Sequence, residues 1–107
     1  MNLSDIPKEL RPQVWRELCR QGAYYRDMAN FFRSVVSDKD KERLDFQLIA
    51  LKKLLRHRDA YAGSSLDLAM VHMDNRIAEV KDYANRHPML TKRWEDISNQ
   101  YKLTGHT

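Results

Sequence analysis

Residues 64–88 read SSLDLAMVHMDNRIAEVKDYANRHP, and this stretch decides the fold class. Its apolar residues Leu66, Met70, Met73, Ile77, Val80 and Ala84 step by four and three residues in turn. That rhythm keeps them on one side of an α-helix and scatters them over both faces of a strand. Ser64, with Asp67 three residues later, resembles a capping box with Asp in place of Glu. At the far end His87 precedes Pro88, and the residue before a proline resists the α region. The spacing predicts a helix over residues 65–86, with Leu68, Val71 and Tyr83 off its seam.

The same rhythm extends upstream. Ser37, followed by Asp38 and Asp40, is a helix start: a hydroxyl cap, then acids facing the positive helix end. A helix is expected over residues 38–62. Leu44, Leu48, Leu51, Leu55 and Ala62 form its seam, with Arg58 at a polar break. Phe46, Ile49 and Ala50 fall on the opposite side. A helix with two apolar faces is central in a bundle or offers one face to a partner. The short Gly63-Ser64-Ser65 link makes these two long helices an antiparallel hairpin.

Three shorter helices are expected around that hairpin. Pro12 suits the first helical position, where its missing N–H leaves no bond unmade. A helix over 12–21 carries Val14, Trp15, Leu18 and Cys19, and Gly22 reads as its stop. A helix over 23–36 carries the stripe Tyr25, Met28, Phe32 and Val35. A last helix over 89–102 carries Leu90, Trp94, Ile97 and Tyr101. Residues 1–11 read as an irregular lead-in and residues 103–107 as a frayed tail. The expected fold is all-α: a compact bundle of about five helices forming a single domain over residues 1–107. A low content of turn residues, three Gly and three Pro, agrees with that.

Composition narrows the function classes. Hydrophobic residues at 42% and charged residues at 32% fit a folded chain rather than a disordered one. No apolar run approaches the roughly 18 residues of a membrane span. The N-terminus lacks the charged-then-apolar pattern of an export signal. Cys19 is the only cysteine, which forbids an intrachain disulfide; it reads as a small core residue. These features predict a cytoplasmic protein without membrane contact.

Catalytic signatures are missing. His57, His72 and His87 are evenly spaced, but Gly63 and Pro88 interrupt any single helix that could align them. They read as surface or interface histidines. No histidine has zinc-site spacing, and there is no Glu-x-x-His, GxSxG or glycine-rich phosphate loop. The expectation is a protein with no catalytic residues, metal, cofactor or small-molecule substrate.

Two binding readings remain. Tyr24, Phe31 and Phe46 fall off the main seams and, with Ile49, could form an exposed apolar patch. The leading expectation is therefore a non-enzymatic accessory or regulatory protein acting through protein–protein contacts, with a partner or with itself. The alternative is a nucleic-acid-associated subunit. The formal charge is +4, and the excess lies in residues 1–62. At 100° per residue Lys52, Lys53 and Arg56 cluster within about a quarter-turn, while Arg58 points elsewhere. Three such cations can grip phosphates, although near a helix C-terminus they also answer its dipole. Arg16, Arg20, Arg26 or Arg33 would assist if they faced the same way.

A helix-turn-helix reading of residues 14–36 rests on Leu18, Gly22, Met28, Ala29 and Phe32. It is weakened by Arg33 and by the acids Asp38, Asp40 and Glu42, which would repel phosphate.

Overall fold

The computed structural model describes residues 2–101, and of Tyr101 only the backbone. The expected tail 103–107, Lys102 and the Tyr101 side chain lie outside the described residues. The fold is all-α. Two 3-10 turns, Leu3–Asp5 and Lys8–Leu10, lead into five helices: α1 (Arg11–Val35), α2 (Asp38–Arg56), α3 (Arg58–Ser64), α4 (Leu66–Arg86) and α5 (Pro88–Tyr101). Helices α1, α2 and α4 pack on one another, and α5 lies along α4 and α1.

Helix α4 follows its sequence pattern. Met70, Met73, Ile77, Val80 and Ala84 are buried, joined by Ala69 and Tyr83, while Leu66 is half-buried. Its start differs in one detail. Ser65 occupies the cap position without a side-chain bond, and the Ser64 hydroxyl donates to Ala60 O at 3.1 Å. Ser64 thus serves the end of α3, not the start of α4. At the C-terminus Ala84 O accepts the His87 backbone N–H at 3.1 Å and also the Thr91 hydroxyl at 2.8 Å, which ties α5 to the end of α4.

The expected stop at Gly22 is not there. The segments read as helices 12–21 and 23–36 form one 25-residue helix, α1, about 37 Å long. Gly22 keeps helical backbone and is buried. A Cβ at this position would lie 2.7 Å from Met73 Sδ and 3.7 Å from Leu55 Cδ2. Gly22 is therefore a point where α1 packs tightly against side chains of α4 and α2. A mid-helix glycine costs about 1 kcal/mol relative to alanine, and close packing offsets it here. Without a turn at Gly22, residues 14–36 contain no helix-turn-helix.

The expected helix over 38–62 breaks at His57, whose φ of −109° and ψ of 21° leave the helical region. Trp15 sits opposite the break. Its side chain is 3% exposed, and its indole Nε1–H donates to Arg58 O at 3.0 Å. A buried indole N–H needs an acceptor, and the redirected chain supplies one. As a result Ala62, expected on the core seam, is exposed. Gly63 falls inside α3, with open space around its Cβ position. Helix α3 buries no side chain fully.

The lead-in is more ordered than its prolines suggest. Arg11 begins α1, and its guanidinium donates to Ile6 O at 3.2 Å and Leu3 O at 3.0 Å. It also pairs with Asp67 of α4 at 2.9 Å. One cation thereby folds the two 3-10 turns onto the bundle. At the other end of α1, Arg33 pairs with Asp45 of α2.

Candidate interaction surfaces

The aromatic residues singled out by sequence separate into two places. Tyr24 and Phe31, on α1, are half-buried, and each ring centroid lies 5.9 Å from that of Trp94 on α5. The Arg93 guanidinium covers the Phe31 ring at 5.7 Å. These two residues seat α5 on α1. They fall off the α1 stripe because they face this second neighbour.

Phe46 and Ile49 do form a surface. They are 60% and 66% exposed on α2, on the side away from the Leu44, Leu48, Leu51 and Leu55 seam. With Ala50 and Leu54 of α2, Tyr61 of α3 and His72 of α4, they line an apolar groove of about 250 Å³. The break at His57 is what brings Tyr61 to its wall. Leu68, one helical turn before His72, is 77% exposed and extends the apolar strip along α4.

The groove has a basic rim. Lys53 lines it directly. Arg76 Nη1 donates to the buried Gln47 Oε1 at 2.9 Å, and its guanidinium lies 5.2 Å from the Phe46 ring centroid. That pair of contacts fixes Arg76 beside the exposed phenyl ring. Partial burial, then the charges of Arg76 and Lys53, pushes the His72 imidazole below its usual range. His72 is therefore a neutral, amphipathic wall at neutral pH. Leu54, Tyr61 and Arg76 are not signalled as site residues by the sequence, and His72 reads there only as a surface histidine. Their convergence depends on the α2–α3 corner and on the packing of α4.

The basic cluster also divides. Lys53 belongs to the groove, while Lys52 and Arg56 face the opposite flank of α2. There they line a cleft of about 510 Å³ with Arg26 of α1 and Arg58 of α3. Arg58, expected to point away, is turned in by the break at His57. A second hollow of similar size adjoins the first through Arg58 and Asp59 and adds Arg16 and Arg20 of α1. Its floor holds Trp15 and Cys19. Cys19 is 6% exposed, and burial pushes its thiol up to about 11. It stays protonated at neutral pH and acts as a packing residue, as its sequence position suggests.

Among the described residues no group of histidine, cysteine, aspartate and glutamate side chains has the arrangement to hold a metal ion. No helix there is long and apolar enough to cross a membrane. No protein-family model, curated protein or solved structure matches the chain.

Proposed function

We propose that this protein is a non-enzymatic helical interaction module. Its groove between α2, α3 and α4 receives one amphipathic helix of an acidic protein partner. The observation that carries this reading is the exposure of Phe46 and Ile49 over an apolar floor, beside the cations Lys53 and Arg76. Exposing two large apolar side chains in one concave place has no folding benefit, because neither belongs to the core. An α-helix presenting apolar residues three and four apart fits such a groove, with those side chains covering Phe46 and Ile49. Carboxylates on its flanks would meet Lys53 and Arg76, so charge selects the partner and sets its register. Tyr24 and Phe31 take no part in this surface, since their rings are packed on Trp94.

Selection from a library of helical peptides tests this reading. Enriched sequences should be acidic and amphipathic, and Ile49→Glu should abolish their binding. Arg20→Glu, outside the groove, should leave it intact. Enrichment of basic or non-helical peptides would overturn the reading. So would a concentration-dependent dimer, seen by light scattering and abolished in Ile49→Glu, because the occupant would then be a second copy of this chain.

A further inference from the structure

A separate surface points to a second binding activity. We infer that the cleft where α1 meets the α2–α3 corner is a docking site for the phosphate backbone of a nucleic-acid duplex. It rests on side chains from three helices and shares no lining residue with the groove.

The first observation is the convergence of charge. Arg16, Arg20 and Arg26 follow one flank of α1, along about 15 Å of helix axis. Lys52 and Arg56 face them from α2, and Arg58 joins from the first turn of α3. These six cations line two adjoining hollows whose lining holds one carboxylate, Asp59. Arg20 approaches Glu17 at 3.6 Å, and Arg26 approaches Asp27 at 3.1 Å. Arg16, Lys52, Arg56 and Arg58 have no ion-pair partner among the described residues. Three acids, Glu17, Asp27 and Asp59, thus stand among six cations, and the cleft keeps a net positive charge. Like charges gathered this way repel one another and attract a polyanion.

The second observation concerns what the cleft lacks. The large apolar side chains that the described residues expose are Leu10, Val35, Phe46, Ile49, Leu68 and Met89, and none of them lines the cleft. A membrane-surface site needs apolar side chains to insert, and a protein interface needs an apolar anchor at its centre. A phosphate backbone needs neither. It needs cations, best supplied as planar guanidinium forks that take phosphate oxygens in pairs.

The third observation selects the duplex. Single-strand sites depend on aromatic rings on which bases stack. The aromatic ring in this cleft, Trp15, is 3% exposed, and its N–H is committed to Arg58 O. It braces the floor and holds Arg58 in place. Binding is therefore to backbone, independent of base sequence, and the stacked bases of a duplex stay undisturbed.

The test is fluorescence anisotropy with a labelled 20-base-pair DNA duplex and the full chain. Binding should appear at 50 mM salt. With four phosphates neutralised, it should weaken roughly 100-fold by 200 mM. Arg20→Gln/Lys52→Gln/Arg56→Gln should weaken binding at least about tenfold at 50 mM. It should also reduce the log–log salt slope by about 0.9 for each phosphate no longer gripped. Lys92→Gln on α5 should behave as wild type. Far-UV circular dichroism establishes that each variant is folded. Ile49→Glu should bind the duplex normally, so failure of the groove reading and failure of this one are separable. Absence of binding at 50 mM salt would overturn the inference. Equal weakening in Lys92→Gln would also overturn it, as would equally tight binding to polyglutamate or to phosphatidylserine vesicles.

Discussion

Gly22 and Met73 approach so closely that a Cβ on the glycine would lie 2.7 Å from the Met73 sulfur. Met73 is fully buried, so moving its thioether requires its neighbours in the core to repack. Alanine at position 22 gains about 1 kcal/mol of helix propensity but must displace Met73, and such overpacking costs about 1–3 kcal/mol. Gly22→Ala is predicted to lower stability by about 1 kcal/mol in urea unfolding. The double variant Gly22→Ala/Met73→Ala should lose less than the two single losses together, because the new methyl occupies part of the vacated space. An additive double variant would contradict this close approach.

Tyr83 ties the last turn of α4 to the first turn of α2. Its hydroxyl donates to Asp40 Oδ2 at 3.0 Å, and its ring stacks on His87 at 4.1 Å. Tyr83→Phe should cost about 1.5 kcal/mol, the low end for a bond to a charged group, because Asp40 is only half-buried. Burial, then the bond to Asp40, pushes the phenol from 10.0 up to about 12. The folded state thus favours the neutral phenol. Its contribution is complete below pH 10.0 and declines as pH rises towards about 12. Denaturant titrations over that interval should show a steeper loss for wild type than for Tyr83→Phe.

His72 gives the opposite dependence at acid pH. Its folded value is lowered from the usual 6.5, so the unfolded chain takes up the proton first. Stability from this residue is complete above pH 6.5 and declines as pH falls below it. Thermal melts at pH 7.5 and 5.5 should separate wild type from His72→Gln, with the variant losing less. An identical loss in both would remove His72 as a source of the dependence.

Ile49 is predicted to be nearly silent for folding. Ile49→Ser removes an exposed side chain that lies outside the core, and such changes usually stay within about 0.5 kcal/mol. A loss above about 2 kcal/mol in urea unfolding would show that the side chain is structural, and that the groove is part of the core.

Legibility in the sequence varies from helix to helix. Helix α4 is readable because its stripe is uninterrupted and its C-terminal end carries a local signal, His87-Pro88. Gly22 misleads because glycine suits both a helix stop and a close helix crossing; what decides between them is Met73, distant in the chain. The break at His57 has no glycine or proline to announce it. It is tied to Trp15, again a tertiary cause. For the surfaces, the pattern finds Phe46 and Ile49 because they oppose a clear seam on their own helix. It misplaces Tyr24 and Phe31, whose second neighbour, α5, is invisible from α1. It also groups Lys53 with Lys52, although a quarter-turn suffices to send them to opposite flanks of α2.

Helix α3 spans Arg58–Ser64 and buries no residue fully. Yet Arg58 closes the cationic cleft, and Tyr61, one turn later, walls the apolar groove. The indole of Trp15 bonds to its first residue. Such a short, lightly anchored segment should exchange its amide hydrogens early, well before the core helices open. Trp15→Phe should hasten that exchange across residues 58–64. An occupant that clasps one end of α3 holds the other end still. Occupation of both surfaces should then be positively coupled, each occupant lowering the entropic cost of the other, and equal affinity for one occupant with and without the other would contradict this. The two surfaces thus share a wall in this one short helix, Tyr61 on one side and Arg58 on the other.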